Sequence, residues 1–323
     1  MKLSITRRSL VLVIAVITLG LIVSPLQAEV GDPEWDHSQH GEDWGSIEDA
    51  DGNFPYATCD AGQSQSPINI NKVKRVRLDE IQFNYHPTEL TIVNNSHTIE
   101  VEYESEPAST ITVGGETYTL RQFHFHTKSE HTRNGRHTPV EMHLVHENDA
   151  GELAVVGVQI KRSHRTNQAF EPIWDRLPEE EGPAETFEGV FINAQDLLPK
   201  ARIVGDDDDD DDDDHRADYA DIATQDAQTF DDDDDDDDDD KRRLHRPYYT
   251  YDGSLTTPAC NEGVTWYLLK DFNTMSRAQI NELRAIESTH NNYRLTHPLN
   301  DRTVHLYELH RDNDDDGDDG DED

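Results

Sequence analysis

The sequence predicts a single, mainly β domain with few helices, and three observations carry that expectation. From Ser64 to about Lys161, short runs alternate apolar and polar residues between turn signals, the two-residue period of half-buried strands. Leu153-Ala154-Val155-Val156-Gly157-Val158-Gln159-Ile160 is apolar on both faces, as a central strand covered on each side would be. Only two segments carry helix signals: Asn167–Leu177, stopped by Pro178, and Ser276–Ser288, where Ser276 and Gln279 stand at capping-box spacing.

The elements follow in chain order. Lys2, Arg7 and Arg8 precede the apolar stretch Leu10–Val23, and Ser24-Pro25-Leu26-Gln27-Ala28 offers a cleavage site before Glu29. This is the pattern of a signal peptide over 1–28. The stretch is too short to span a bilayer comfortably, and no later one is long and apolar enough, so no stable membrane span is expected. Thr6-Arg7-Arg8-Ser9-Leu10 also loosely resembles a twin-arginine signal, so both export routes stay open. The expected location is periplasmic or secreted. Val30–Gly62, rich in Gly, Asp and aromatic residues without periodicity, reads as an irregular arm over the body.

Strand alternation then appears in Thr91-Ile92-Val93, Thr98–Tyr103 and Thr110–Val113, and Gly114-Gly115 is a strong hairpin turn. Val264–Leu269 and Thr303–Leu309 are further strands. In the second helix Ile280, Leu283 and Ile286 fall near one face. The body thus covers 29–311, interrupted by an acidic disordered insertion over 205–245 and followed by an acidic disordered tail over 312–323.

Those two acidic segments explain most of the formal charge of −41. Asp206–Asp214 and Asp231–Asp240 are unbroken runs, and the chain after Arg311 holds 8 Asp and 1 Glu without a base, so these segments account for 28 of the net charge of −41. Same-sign blocks stay solvated. The balance argues against nucleic acid or anionic membrane as partners, because phosphates would be repelled. Cys59 and Cys260 are the only cysteines, and an isolated pair in an exported chain most economically forms one disulfide.

Arg121-Gln122-Phe123-His124-Phe125-His126 carries the chemistry. Residues two apart on a strand share a face, so His124 and His126 point one way and Phe123 and Phe125 the other. Glu141-Met142-His143-Leu144-Val145 repeats the device. Were the two strands neighbours, three imidazoles would converge, the arrangement of a catalytic zinc site with an open fourth position. A chance cluster is the competing reading in a chain with 17 histidines.

Five ordered motifs then match a family: Gln65-Ser66-Pro67-Ile68-Asn69-Ile70, Gln122–His126, Ser129-Glu130-His131, Glu141-Met142-His143-Leu144-Val145-His146 and Ser254-Leu255-Thr256-Thr257-Pro258. Together, from roughly Trp35 to Leu309, they closely resemble the α-class carbonic anhydrases of the exported bacterial kind. The resemblance implies a large twisted, mostly antiparallel central sheet and a zinc lyase interconverting CO2 and bicarbonate. In it His124, His126 and His143 hold Zn2+, whose bound hydroxide attacks CO2. Thr256 accepts the hydroxide proton and passes its own to Glu130, while Thr257 contacts bicarbonate. Val145, Val155, Leu255 and Trp266 match the apolar wall for CO2. Gln122, Glu141 and the carbonyl of Asn292 match the partners that orient the ligand imidazoles. His97 falls where fast members carry a proton-shuttle histidine, and the two cysteines fall where secreted members form their disulfide. Two departures stand out: His37 replaces a tyrosine expected along the proton path, and Glu100 stands where the family has an amide or another polar residue facing the cavity.

Two other readings concern the acid. One is a Ca2+-binding or mineral-associated protein whose Asp tracts are the function, with weak and numerous sites because a flexible run forms no defined cage. The other is salt adaptation of an acid-rich chain with 8 lysines against 20 arginines.

Overall fold

The structure is a computed structural model that describes residues 33–203, 244–286 and 291–308. The signal-type segment, both Asp runs with the stretch between them, Ser288, Leu309 and the acidic tail lie outside the described residues. Strands dominate, and most of them join one 13-stranded sheet. Ten of these set its main path: β1 (Lys74–Arg75), β2 (Thr88–Asn94), β3 (Ile99–Glu102), β4 (Glu116–His126), β5 (Val140–Glu147), β6 (Leu153–Ser163), β7 (Glu185–Ile192), β8 (Tyr248–Ser254), β9 (Glu262–Leu269) and β10 (His305–Tyr307). Their order across the sheet is β7-β2-β3-β4-β5-β6-β9-β8-β10-β1. Only the β6–β9 and β10–β1 pairings on this path are parallel, so the sheet is mostly antiparallel, as expected.

Local chemistry accounts for the central strands. Thr88–Asn94 alternates buried and half-buried residues throughout, the signature of one face on a core. A four-residue strand, Thr110–Val113, runs back into β4 through Gly114-Gly115, both at positive φ (61° and 85°), the left-handed pair that a two-residue hairpin demands. β6 has antiparallel β5 on one side and parallel β9 on the other, and residues 154–160 are buried without interruption. That is the doubly covered central strand its composition predicts.

A bulge in β4 decides which way the histidines face. The register against β5 shifts between Leu120 and Gln122, leaving Arg121 as an extra residue. Before it, Tyr118 and Leu120 point into the larger core; after it, Phe123 and Phe125 do. The even-numbered residues beyond the bulge, His124 and His126, therefore face the opposite side. The larger core also takes Met142, Leu144, Val156 and Val158, so one face of the sheet is sealed by apolar packing. On the other face a smaller cluster gathers Ile68, Val155, Tyr251, Val264, Trp266 and Leu268.

The arm over 33–62 is irregular as expected, with only a 3-10 turn at Trp44–Ser46 and one helical turn at Thr58–Ala61. Cys59 and Cys260 form a disulfide with Cα atoms 5.1 Å apart, packed with Trp44 and Tyr56. The helix expected over Asn167–Leu177 is instead a 3-10 turn, Gln168–Phe170, followed by one α turn, Glu171–Trp174. Pro172, which lacks an N–H, suits the first positions of a helix and opens the second turn there. The later helix is Arg277–Ile286, and its capping box closes reciprocally: Gln279 N donates to Ser276 Oγ (3.2 Å) and Ser276 N to Gln279 Oε1 (3.0 Å). The strand expected over Thr303–Leu309 narrows to His305–Tyr307. Leu244 and His245, expected as the end of the acidic insertion, form a strand against Arg202–Ile203, so that boundary falls at least two residues earlier.

Candidate metal centre

Register across the sheet assembles the site. His124 of β4 stands directly opposite His143 of β5, and His126 opposite Glu141. The ring centroids of His124, His126 and His143 lie 4.6–5.3 Å apart, and one nitrogen from each falls within 4.8 Å of the others. His126 and His143 are buried, while His124 keeps part of its ring open.

Each imidazole is oriented by an acceptor at its other nitrogen. His124 Nδ1 meets Gln122 Oε1 at 2.8 Å, His126 Nδ1 the carbonyl oxygen of Asn292 at 2.7 Å, and His143 Nε2 Glu141 Oε1 at 2.9 Å. Acceptors require those nitrogens to carry the hydrogen, which leaves lone pairs on His124 Nε2, His126 Nε2 and His143 Nδ1. Burial holds His124 well below the usual imidazole range, and His126 and His143 push it further. Burial lowers His143 as well, followed by His126, against the pull of Glu141 and Glu130. His124 and His143 are thus kept neutral, and the three rings are convergent and tautomerically fixed. His126 Nε2 is buried without a hydrogen-bond partner, a cost that an ion bound among the three nitrogens would remove. These residues fit a metal ion.

Glu141 does more than hold His143. Its Oε1 also meets His131 Nδ1 at 2.6 Å, and its Oε2 accepts from His131 N at 3.0 Å. Burial alone would raise this carboxyl, but the His131 charge and the bonds from both imidazoles hold it far below the carboxylate range. From His131 Nε2 the network continues to Tyr251 Oη (2.7 Å), Ser66 Oγ (2.9 Å) and the backbone of Ser254 (3.1 Å). Ser254 precedes the Leu255-Thr256-Thr257 segment, so one buried polar chain links a ligand histidine to that loop. Cys260 N, which donates to the Thr257 carbonyl at 2.8 Å, ties the loop to the disulfide.

Glu130 is fully buried beneath the histidines. Its Oε1 accepts from Arg294 N at 2.8 Å; its Oε2 has no partner and lies 3.6 Å from His126 Nε2 and 3.9 Å from His143 Nδ1. Thr256 is buried in the following loop and Thr257 is half-buried; no hydrogen bond joins Thr256 to Glu130. Val145, Val155 and Trp266 lie in one row across β5, β6 and β9, with Leu255 packed on the same cluster. The Trp266 and His143 ring centroids are 4.8 Å apart. An apolar row therefore flanks the metal-binding nitrogens.

His97 stacks on the Trp35 indole, rings 3.8 Å apart and 6° from parallel. Burial lowers its pKa, with Glu181 and Asp36 opposing. His37 is buried edge-on to both Trp35 and Trp44, and its ring lies 6.4 Å from that of His97. Burial first, then the nearby His126, lower it to about 3, so it stays neutral. Glu100 stands opposite His124 on β3, and burial raises it to about 7, with Glu102 adding to the effect. Sequence reasoning assigns no role to His131, Tyr251 or Arg294. His131 sits within a matching motif. The bonds that involve Tyr251 and Arg294 span more than a hundred residues and carry no local signal.

Fold and site together define a class: three oriented imidazoles that could hold a metal ion on the face of a large mixed β-sheet, flanked by an apolar row. The family model for eukaryotic-type carbonic anhydrase matches residues 42–204 and 238–308. A carbonic anhydrase of Klebsiella pneumoniae is 32% identical over 287 residues, covering 88% of this chain and 95% of that protein. One from Neisseria gonorrhoeae is 31% identical over 299 residues, covering 92% and 97%. The solved structure of the Photobacterium profundum alpha-carbonic anhydrase superposes with a TM-score of 0.63 at 31% identity, covering 84% of this chain and all of that one. The chain belongs to the eukaryotic-type, or α-class, carbonic anhydrase family, and it is an enzyme of that lyase class. Members of the family are metalloenzymes.

Proposed function

We propose that the protein is an exported, zinc-dependent carbonate dehydratase that interconverts CO2 and bicarbonate. The observation that carries this reading is the tautomer pattern: three imidazoles each pinned at one nitrogen, with the other three nitrogens converging and one of them, His126 Nε2, buried without a partner. A neutral three-nitrogen donor set suits zinc and leaves one position open. When bound there, Zn2+ lowers the pKa of a coordinated water to about 7 and so supplies hydroxide at neutral pH.

The chain's own groups do the rest. Gln122, Glu141 and the Asn292 carbonyl keep the three rings aimed. Glu130, anchored by Arg294 N, presents an oxygen without a partner; Thr256 would donate to it, and with zinc bound the Thr256 hydroxyl would accept from the nucleophile and fix its direction. Thr257 contacts bicarbonate. Val145, Val155, Leu255 and Trp266 give apolar CO2 a wall that polar groups do not contest. His97, half-buried against Trp35, carries the proton to bulk solvent, since an imidazole is the side chain suited to transfer near neutrality. The basic and apolar N-terminal sequence supports export with cleavage near Ala28-Glu29, which N-terminal sequencing of protein secreted or released from the cell envelope would test.

The decisive experiment joins zinc stoichiometry to CO2 hydration. One zinc per chain is expected, with hydration lost in His143→Ala together with most of the zinc; activity that survives this substitution sinks the proposal. The calcium reading has no comparable observation in its favour among the described residues. Equal Ca2+ binding before and after deletion of 205–240 would remove it.

A further inference from the structure

A cavity of about 240 Å3 opens on the side of the sheet away from the three histidines, and its walls carry an unusual charge. Its lining is Pro139, Arg162, Arg277, Ile280, Asn281 and Arg284. Four of these come from one face of the helix Arg277–Ile286, at the spacing of successive turns, while Arg162 comes from β6, where it pairs with Met275 just before the helix. Ile280 is rooted in the larger core, so the helix face is held in place.

Three guanidinium groups therefore share one concavity. Some arginines elsewhere meet carboxylates, Arg121 at 3.2 Å from Glu147 and Arg202 at 2.6 Å from Asp271, while others such as Arg133 and Arg294 donate to backbone carbonyls. Among the described residues, the side chains of Arg162, Arg277 and Arg284 make no ion pair and no hydrogen bond, and no carboxylate lines the cavity. The chain as a whole holds 69 acidic residues against 28 basic ones, so a cavity whose only charged lining residues are arginines runs against its balance. The three side chains are exposed, so solvent screens their mutual repulsion, and a bound anion would relieve what remains of it.

We propose that this cavity is a binding site for a small multivalent oxyanion of the phosphate class, separate from the metal centre. Guanidinium forks match tetrahedral oxyanions bidentately. The Asn281 amide adds a further donor at the rim, and Pro139 and Ile280 offer an apolar shoulder for an ester group. The volume is below that of sites for drug-sized ligands, which favours inorganic phosphate or a compact phosphorylated molecule. Three positive charges suit a dianion better than they suit bicarbonate.

The test titrates inorganic phosphate into the full zinc-loaded chain by calorimetry at low ionic strength, where the interaction is least screened. Saturable binding at one site per chain is expected, weakened tenfold or more in Arg162→Gln/Arg277→Gln/Arg284→Gln. The triple Lys variant keeps the charge and loses the forks, so it should bind more weakly than wild type and more tightly than the Gln variant. CO2 hydration should stay unchanged in both, which certifies their folds. Absence of saturable binding, or equal binding by wild type and the Gln variant, overturns the proposal. So does preferential occupation by a ten-residue aspartate peptide, which would make the cavity a dock for carboxylate chains.

Discussion

Glu141 offers the sharpest test of how the metal centre is built. Its two oxygens accept three hydrogen bonds, from His143 Nε2 at 2.9 Å, His131 Nδ1 at 2.6 Å and His131 N at 3.0 Å, and none of the groups is exposed. Glu141→Ala would strand all three donors at about 1–3 kcal/mol each. The combined cost, roughly 3–9 kcal/mol, reaches the whole stability of an ordinary domain at about 5–15 kcal/mol. That variant is expected to fold poorly and to report little about metal. Glu141→Gln is the informative change. Its amide oxygen, in the place of Oε1, can still accept from both imidazoles, but its NH2 must then face His131 N, so one buried hydrogen bond is replaced by a clash, worth roughly 1–3 kcal/mol. With a neutral acceptor in place of the carboxylate and its backbone anchor lost, His143 is held less firmly, and zinc affinity should fall by about 10–100-fold. The assay is urea unfolding of the metal-free variant together with zinc competition against a chelator of known affinity. Metal-free stability and zinc affinity both within twofold of wild type would refute the reasoning, because Glu141 would then orient nothing.

Acid should destabilise the fold through a histidine far from the metal. His146 is buried against Tyr85 Oη at 2.8 Å, and burial lowers its pKa to about 3. Its folded value lies below its unfolded one, so only the unfolded chain takes up the proton as pH falls from about 6.5. Stability is full above that pH and declines towards pH 3 by about 1.4 kcal/mol per unit; equal urea midpoints at pH 7 and pH 5 would contradict this. His37, lowered to about 3 chiefly by burial, acts in the same sense. Replacing both cysteines by serine should cost about 2–5 kcal/mol, because the bridge joins residues 201 apart, and a melting temperature unchanged by reduction would count against it.

What was legible in the sequence is what is local. The strand alternation of Thr88–Asn94, the Gly114-Gly115 turn and the capping box at Ser276 each follow from residues within a few positions, and each appears where its chemistry places it. Glu185–Ile192 was not legible: it is an edge strand, mostly exposed, whose register against β2 breaks between Phe187 and Phe191, so it has no clean alternation to read. The helix over 167–177 failed for the opposite reason. Its apolar spacing is real, and Phe170, Ile173 and Trp174 are buried, but the Asn167 side chain caps a 3-10 turn and Pro172 restarts the chain within it.

The site divides along the same line. His124 and His126 share a face because they are two apart on one strand, yet which face that is depends on the bulge at Arg121, which only the register of β4 against β5 reveals. Which nitrogen of each ring is left free depends on partners at every range: Gln122 and Glu141 are two residues from their histidines, whereas the His126 partner is 166 residues distant and is a backbone carbonyl. A carbonyl has no residue type, so only the family resemblance could point to Asn292. Its side chain nonetheless explains why that carbonyl is there. Asn292 Oδ1 accepts from Thr127 N at 2.7 Å, and Nδ2 donates to the carbonyls of Phe125 at 2.9 Å and His97 at 3.0 Å. One asparagine thus fastens its loop to the end of the ligand strand and to the segment bearing His97. The residue type is needed to hold the backbone, and the backbone then orients the ligand. That indirection is why the metal-binding residues can be read from a hexapeptide while the means of aiming them cannot.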